Sequence, residues 1–445
     1  MFKVFANAWK IADLRKKMLY TLMLIVVFRL GSSIPVPFVS AEALKSLVSG
    51  GDNLFSMYNI ISGGAFENAT IFAMSITPYI NASIMMQLLS VAIPALERKV
   101  KEGEEGRKFL AQWTRYLTVV LAMLQATGLY FGLSGAITSR GVFTYFVVTL
   151  TFTAGTAFLM WLGEQINEKG IGNGISLLIF AGIVSRGPAV INSFIEMNKA
   201  GQLNIITTIL VVLIVVLVVA AVVLMNDSER RIPVMYAKRV VGRKMYGGQN
   251  SNIPLKVNMA GVMPIIFANA LLTIPTTIAM FITPTYKGAD GYTYTRQPWS
   301  SIVSFLSSSS WFYALLTFVL ILAFAYFYVS ISFNPFEVSG NIQKNGGAIP
   351  GIRPGRATAM FIKKVLSKVT FIGALSLSVI CVIPLVINII IVALGDVNVA
   401  FQAFGLVGEL ATCGTSVVIV VGVIIETVRE IESQLTMRHY KGFLD

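Results

Sequence analysis

The side chains that could do chemistry inside the apolar parts of this chain are few and far apart. The ionisable ones are Arg29, Arg115, Glu164, Glu409 and Glu426, and most of them lie near the end of an apolar stretch. Ionisable residues inside a membrane segment usually mark an ion or proton pathway. An ion-coupled carrier is expected to contain buried carboxylate pairs, and no apolar stretch of this sequence contains one. The pattern therefore does not favour a carrier.

The histidine and cysteine content restricts the chemistry further. The one histidine, His439, stands in a polar tail, and Cys381 and Cys413 stand in apolar runs. These residues cannot form a metal cluster or a histidine-based catalytic unit. The sequence contains neither an HExxH motif nor a GxxxxGK[ST] phosphate loop, which disfavours a metalloprotease and an ATPase. It predicts no catalytic residue, no metal and no cofactor.

Polar side chains stand beside isoleucines in the stretch "ITPYINASIMMQLL". Ile80 and Ile84 are four residues apart and share a helix face, while Asn81, Ser83 and Gln87 flank them. Lipid offers such polar groups no hydrogen-bond partners, so this helix must face something other than lipid.

A second stretch, "MAGVMPIIFANALL", combines Pro264, Ile266 and Asn269 in the same way. Amide side chains in two separate spans have two interpretations. They join neighbouring helices by hydrogen bonds, or they line a path through the membrane. Their spacing alone does not decide between these alternatives.

Membrane-spanning helices must position these residues. The 445-residue chain is 55% hydrophobic and 13% charged, with a mean hydropathy of +0.74, and is too apolar for a soluble globular protein. Ten apolar windows are long enough to span a bilayer: 19–38, 70–93, 109–133, 142–165, 173–192, 204–225, 258–283, 311–332, 369–394 and 401–426. The predicted fold class is an all-α membrane protein with ten transmembrane helices.

The cations orient the chain in the membrane. If the N-terminus is cytoplasmic, the cytoplasmic segments contain 27 Lys and Arg residues and the external segments contain 6. This asymmetry predicts that both ends of the chain lie in the cytoplasm. The N-terminal stretch "MFKVFANAWKIADLRKKMLY" is amphipathic and basic, but it lacks a short apolar core with a small-residue cleavage site, so no cleaved signal peptide is predicted.

Two predicted cytoplasmic segments, 226–257 and 333–368, are longer than a simple connection requires. The first alternates roughly between polar and apolar residues around a Gly247-Gly248 break, which predicts a protruding hairpin. The second is rich in glycine and proline, which predicts an ordered loop with little helix before residue 357.

An external segment between the first two spans is also unusual. Its apolar part, Leu54 to Ile61, is too short to cross a bilayer and ends at Gly63-Gly64. Such a helix either lies at the membrane interface or re-enters the membrane and is buried in protein. The stretch from Lys45 to Arg98 contains no cation between its ends to bind headgroups, which favours re-entry.

Four long motifs resemble signature stretches of the SecY family, the channel subunits of the bacterial protein translocase. They read "TPYINASIMMQLL", "GEQINEKGIGNGISLLIFAGIV", "ERRIPVMYAKRVVGRKMYGGQNSNIPLKVNMAGVMPIIFA" and "GAIPGIRPGRATAMFI". The resemblance runs through the whole chain. Thr77 and Asn81 depart from it, because the family more often has a hydrophobic residue and a serine at these positions.

The resemblance implies an hourglass channel built from two pseudo-symmetric inverted halves, 1–195 and 204–445, hinged near 193–203, with a re-entrant plug helix. Its waist would be a ring of apolar side chains from Ile80, Ile84, Ile179, Ile266 and Ile419. Ala270 is a further candidate for this ring. The plug, about 54–64, would contribute Leu54, Phe55, Met57, Ile60, Ile61, Gly63 and Gly64. A lateral gate between the second and seventh spans would use Asn81, Ser83, Gln87 and Asn269.

The resemblance also implies docking partners at the two long loops, namely the SecA ATPase and the ribosome with its polyanionic RNA. The basic docking residues would be Arg353, Arg356, Arg230, Arg231, Lys238, Arg239, Arg243 and Lys244. Other implied partners are SecE, SecG, a secretory polypeptide with its signal sequence, and the phospholipid membrane.

The function expected from this sequence is a passive channel that passes unfolded polypeptides across the bacterial cytoplasmic membrane and releases transmembrane segments sideways. The alternatives are a small-solute carrier, which needs buried charge at the midplane, and a membrane enzyme, which needs a nucleophile with a base.

Overall fold

The computed structural model describes residues 2–49, 59, 62–100, 102–133, 135–139, 141–199, 205–236, 239–241, 244–246, 250–281, 285–287, 293–295, 310–394 and 416–436. The described helices are α1 (Phe2–Lys10), α2 (Ala12–Gly31), α3 (Ala41–Ser49), α4 (Thr77–Ala92), α5 (Pro94–Val100), α6 (Glu104–Gly132), α7 (Val142–Lys169), α8 (Gly174–Lys199), α9 (Ile205–Asp227), α10 (Met263–Phe281), α11 (Trp311–Ser332), α12 (Pro335–Lys344), α13 (Arg356–Leu394) and α14 (416–436). The described strands are β1 (Glu229–Tyr236), β2 (Arg239–Val241), β3 (Lys244–Tyr246), β4 (Asn250–Lys256), β5 (Thr285–Lys287), β6 (Thr293–Thr295) and β7 (Gly347–Ala348).

Several of these helices have the length and apolar composition of membrane spans. Within the described ranges, three helical runs qualify outright: Val142–Lys169, Trp311–Lys344 and Arg356–Ile387. The pair α4 and α5, bent by 105°, would together form a fourth. Shorter apolar helices occur at Gly174–Ala189, Val212–Asp227 and Met263–Pro275. The total of ten spans stays a prediction.

The predicted windows agree with the helices best in the middle of the chain. The window 311–332 coincides with α11, and 204–225 differs from α9 by at most two residues at either end. The last window ends at residue 426, whereas α14 continues to residue 436. Ile431 explains the extension, since it is only 1% exposed and packs against Ala8 and Leu14 near the N-terminus.

The window 70–93 is wrong at its start, because residues 70–76 form turns rather than a helix. Their backbone groups are bonded to other parts of the chain. The Ile71 N–H donates to the Ile34 carbonyl at 3.0 Å, and the Thr70 N–H donates to the Ala65 carbonyl at 3.1 Å. Ser75 has a left-handed backbone, with φ of 53°, immediately before α4. These contacts determine where α4 begins.

Phe72 holds this non-helical segment between two helices. It is 2% exposed, and its ring stacks on Phe28 of α2 at 5.9 Å and on Phe158 of α7 at 6.1 Å. Gly155 of α7 lies directly against the segment, since a Cβ at this position would be 2.0 Å from the carbonyl oxygen of Ile71. The absent side chain at residue 155 allows this close approach of helix and backbone.

The hairpin predicted at 226–257 is confirmed. β1 and β4 pair antiparallel with Ile232 opposite Ile253, and β2 pairs with β3 farther out. β7 adds to the other edge of β1, so the strand order is β4-β1-β7. The two long loops are thereby joined into one unit, whose apolar core includes Ile232, Val234, Leu255, Ile342, Ile349 and Ile362.

The prediction of little helix before residue 357 is wrong, because α12 occupies Pro335–Lys344. The side-chain oxygen of Asn334 accepts a hydrogen bond from the Phe336 N–H at 3.1 Å, and Pro335 occupies the first turn. Asparagine before proline is a good helix start, because the asparagine caps the helix and proline has no N–H to leave unbonded. This Asn-Pro signal was visible in the sequence.

Replacing Gly155 by alanine tests the close packing of α7, with the same replacement at Gly340 as the control. Gly155→Ala should lower the free energy of unfolding by about 1–3 kcal/mol, because the new methyl group meets a backbone oxygen that cannot rotate away. Gly340→Ala in α12 is the matched control, because nothing lies within 4 Å of its Cβ position. There the better helix propensity of alanine should stabilise by up to about 1 kcal/mol. Thermal unfolding in detergent measures both variants, and equal shifts would contradict the close contact.

Candidate functional site

A small cavity of about 70 Å³ lies where four helices, α4, α8, α10 and α14, converge. It is lined by Thr77, Ile80, Ile179, Ile183, Ile266, Asn269, Ala270, Thr273, Ser416 and Ile419. Four of the five isoleucines predicted for the ring are in this lining. The fifth, Ile84, is 5% exposed and belongs to the same apolar core. The structure thus brings together side chains that are more than 330 residues apart in the sequence.

Each helix presents its lining residues on one face. Thr77 and Ile80 are three residues apart on α4, and Ile266 and Ala270 are four apart on α10, which is the spacing of one helical turn. Thr77, Ile183, Thr273 and Ser416 were not predicted as site residues. Each of them stands three or four residues from a predicted site residue on the same helix, so helical spacing carried a signal for all four.

A tight turn places Ile179 at the cavity. Gly172 has φ of +82°, and a Cβ on Gly174 would lie 2.1 Å from the carbonyl oxygen of Gly163. The side-chain oxygen of Asn167 accepts from the Gly174 N–H at 2.7 Å, while the Asn173 oxygen caps α8 by accepting from the Ile175 N–H at 3.1 Å. These contacts fold α8 back against α7.

The chemistry of the cavity is that of an apolar constriction with a few hydroxyl and amide groups. None of its lining residues is titratable. A narrow path lined by isoleucine tends to exclude water, and ions do not pass where water is absent.

Of the four residues predicted for a lateral gate, Asn81 makes no side-chain hydrogen bond within the described part of the chain. Asn81 is only 3% exposed, and neither atom of its amide has a hydrogen-bond partner among the described residues. Asn269 lines the cavity, and Ser83 and Gln87 are half-buried. The lateral-gate role of these four residues stays a prediction. The two helices that carry these residues, α4 and α10, do lie against each other.

The predicted plug lies largely outside the described residues, which include none of Leu54, Phe55, Met57, Ile60 and Ile61. Its C-terminal end is described. Gly63 packs against α8, since a Cβ there would lie 2.3 Å from the carbonyl oxygen of Gly182. Asn59 and Glu67 bind each other twice: the Asn59 amide donates to the Glu67 carboxylate at 2.6 Å, and its oxygen accepts from the Glu67 N–H at 3.1 Å.

The predicted docking residues that the structure describes lie on the unit formed by the two long loops. Arg230, Arg353 and Arg356 are exposed, and the exposed Arg231 pairs with Glu229 at 2.6 Å. Arg239 lies in β2 opposite Tyr246, and Lys244 lies in β3 opposite Val241. Lys238 and Arg243 lie outside the described residues.

The Arg353 loop is held in place by side-chain hydrogen bonds. The Arg353 carbonyl accepts from the Thr358 hydroxyl at 2.9 Å, and the Gly355 carbonyl accepts from the Ser339 hydroxyl of α12 at 2.7 Å. Gly351 and Gly355 adopt φ of +78° and +95°, which suits glycine. Arg353 is thus presented from an ordered loop.

A family model described as SecY matches residues 70–428, which include the cavity, the hairpin and the Arg353 loop. The chain belongs to the SecY family. It is 44% identical to the protein translocase subunit SecY of Streptomyces coelicolor, with both chains covered completely. It is 41% identical to the same subunit of Halalkalibacterium halodurans, again over the whole of both chains. The family resemblance of the sequence motifs is confirmed.

Solved structures share the fold. One described as the structure of a protein conducting channel has a TM-score of 0.64 at 20% identity and covers 94% of this chain and 92% of that one. One concerning the plug domain of SecY, which stabilises the closed state of the translocation channel, has a TM-score of 0.63 at 18% identity with the same coverage. Sec61 in the canine ribosome-channel complex has a TM-score of 0.59 at 19% identity, also with that coverage. The predicted all-α, pseudo-symmetric channel fold is confirmed by this likeness.

A charged pair joins α6 to α7, the helices of two predicted spans. Arg115 of α6 and Glu164 of α7 pair at 2.7 Å, with side chains 46% and 20% exposed. Two opposite charges in contact neutralise each other, which differs from the paired carboxylates of a carrier. Among the described residues, no three histidine, cysteine, aspartate or glutamate side chains are grouped to hold a metal ion.

A polar junction that sequence reasoning missed joins the hairpin to α14. Arg429 donates to the Asn226 carbonyl and to the Asp227 carboxylate, both at 2.9 Å, and the Asn258 amide donates to the Asn226 side chain at 2.8 Å. Burial and the nearby Arg429 cation lower the pKa of Lys256 at the same place. No local sequence pattern pointed to a pairing of residues 202 positions apart.

The Asn81 amide has no hydrogen-bond partner among the described residues, which leads to a prediction about the stability of the protein. Asn81→Leu, which keeps the branched arrangement of side-chain heavy atoms, should raise the free energy of unfolding by about 1–3 kcal/mol, because it removes a buried polar group that has no partner among the described residues. Thermal unfolding in detergent measures the change, with Gln87→Leu on the same helix as the half-buried control. A destabilised Asn81→Leu protein would mean that the amide is hydrogen-bonded after all.

Proposed function

We propose that this chain is the passive protein-conducting channel of a bacterial translocase. It would pass unfolded secretory polypeptides across the cytoplasmic membrane and release transmembrane segments sideways into the bilayer. The observation that carries the proposal is the isoleucine-lined cavity at the convergence of α4, α8, α10 and α14. The names of its full-length relatives and the channel structures with its fold support it.

The isoleucines would form the seal. Ile80, Ile179, Ile266 and Ile419, with Ile84 beside them, present flexible apolar side chains from separate helices. Dispersion contacts between such side chains have no required geometry, so they can separate and pack again around a peptide of any sequence. At rest the same side chains exclude water and thereby ions.

The plug and the lateral gate would complete the channel. The plug, about 54–64, would rest against the ring, and Gly63 against Gly182 fits this position because Gly182 is three residues from Ile179 on α8. The gate would open between α4 and α10, which touch in this conformation. Asn81 makes no hydrogen bond among the described residues. The helices α4 and α10 would therefore separate more easily than if such a bond joined them.

Energy would come from partners at the two long loops. SecA and the ribosome would dock at the basic surface around Arg353, Arg356, Arg230 and Arg231, to which the β2–β3 hairpin would add Arg239 and Lys244. The canine ribosome-channel complex among the fold neighbours supports the ribosome as a partner. SecE and SecG would bind in the membrane, and both chain ends would lie in the cytoplasm, as the cation distribution indicates.

The rival functions fit the cavity less well. A solute carrier needs charged groups at its binding site, and a membrane enzyme needs a nucleophile beside a base. The cavity lining contains no titratable residue. We therefore assign no catalytic residue, metal or cofactor, and propose that the chain is not itself an enzyme.

The seal can be tested by its leakage. Ile266→Asn and Ile84→Asn should each raise the resting ion conductance in planar bilayers about tenfold or more. An amide stabilises water in the constriction. A change of only about 1.4 kcal/mol in the free energy of filling the constriction with water changes the fraction of water-filled channels tenfold. Ile266→Val, which keeps the site apolar, is the control. Conductance equal to that of the unchanged protein in both asparagine variants would remove these residues from the seal.

The docking surface can be tested by charge reversal. Arg353→Glu should reduce SecA-driven export into reconstituted vesicles by about tenfold, because loss of an interfacial charge contact costs about 1.5 kcal/mol or more. Membrane insertion and binding of SecE should stay unchanged. Arg98→Glu reverses an exposed cation of α5 and serves as the control. Full export by the Arg353 variant would contradict the docking role.

A further inference from the structure

The N-terminal helix α1 has three faces with different surroundings. One face packs on the protein: Ala8 is fully buried, and it lies with Val4 and Ile11 in a cluster that includes Ile171 and Ile431. Val4, Ala8 and Ile11 follow one another at intervals of one helical turn, so they form a continuous stripe. This stripe fixes how the rest of the helix is oriented.

The second face is apolar and exposed. Phe5 and Trp9 are one turn apart, and 37% and 46% of their surfaces are exposed. The third face is polar, with Asn7 and Lys10 exposed. A helix that binds protein on one side and presents aromatic residues and polar residues on its two other sides has the pattern of a helix at a membrane interface.

α1 directly precedes α2, which carries an exposed apolar surface. Only Ile11 separates it from α2, and the extended backbone of Ile11, with φ of −91° and ψ of 117°, turns the chain between them. The lipid-facing surface of α2 begins at Leu19 and continues along Leu22, Met23, Val26 and Leu30, all about half exposed or more.

A polar segment connects α1 with this lipid-facing surface. It spans Ala12–Lys17, carries Asp13, Arg15, Lys16 and Lys17, and covers about 9 Å at 1.5 Å per residue. That length is comparable to one headgroup layer, about 5–8 Å thick. The C-terminal end of α1 is therefore about one headgroup layer away from the exposed apolar surface of α2.

We propose that α1 lies in the headgroup layer of the leaflet where α2 begins and binds anionic phospholipid there. Phe5 and Trp9 enter the boundary of the acyl chains, while Lys10, Arg15 and Lys16, all exposed, contact lipid phosphates. Lipid is preferred to a protein as the occupant because the aromatic face adjoins a span whose exposed side is already apolar, and because the flanking cations complement an anionic surface.

Spin labels on the full chain test the orientation of α1. Cys381 and Cys413 are replaced by alanine, and one nitroxide is attached to cysteine in Phe5→Cys, Asn7→Cys or Trp9→Cys. Each protein is reconstituted in vesicles of phosphatidylcholine with or without phosphatidylglycerol. Collisions with oxygen, which concentrates in lipid, and with a water-soluble nickel chelate report the depth of each label.

The expected result is high oxygen and low nickel collision rates at positions 5 and 9 and the reverse at position 7. Phosphatidylglycerol should raise the oxygen-to-nickel ratio at positions 5 and 9, and Lys10→Glu with Arg15→Glu and Lys16→Glu should abolish this rise. Labels at 5 and 9 that are shielded from both reagents would show a protein on this face. Equal exposure of all three labels to nickel, or a ratio unaffected by phosphatidylglycerol, would also overturn the proposal. None of these outcomes depends on whether the chain conducts polypeptides.

Discussion

The packing of isoleucine side chains between four helices is the interaction on which the rest of this structure depends. Dispersion contacts are individually small and have no required direction, so a seal made from them is close-packed and yet separable. Different local features place two of these helices at the cavity. The glycine-rich turn before α8 positions Ile179, and the non-helical segment 70–76 ensures that α4 begins only at Thr77.

Polar groups near the seal act against its closed arrangement. The Thr77 hydroxyl and the Asn81 amide are buried without hydrogen-bond partners among the described residues. Each such group destabilises the conformation that buries it by about 1–3 kcal/mol. A channel that must open gains from a closed state that is only moderately stable.

The loops that protrude from the membrane part are attached to it rigidly. β7 joins the Arg353 loop to the hairpin, and Gly373 of α13 approaches the Val257 carbonyl so closely that a Cβ would lie 2.1 Å from it. Arg429 connects the base of the hairpin to α14, the helix that also carries Ile419. A partner bound at the hairpin would therefore press on a packed junction, not on a loose linker.

The sequence by itself predicted the elements whose cause is local. Periodicity and apolar length predicted α9 and α11, and the Gly247-Gly248 break predicted the hairpin. Capping at Asn334 was also local, although the Gly and Pro content of that loop obscured it. Each of these features depends on neighbouring residues, which the sequence lists in order.

Only the tertiary structure decided the features that depend on distant residues. Residues 70–76 form turns because their backbone binds the connection after α2, and α14 reaches residue 436 because Ile431 finds Ala8 and Leu14. The missing hydrogen bond of Asn81 likewise reflects which helices surround it. Periodicity determines which face of a helix is apolar, but the neighbour on that face is selected by long-range packing, because any apolar surface of suitable shape satisfies the same pattern.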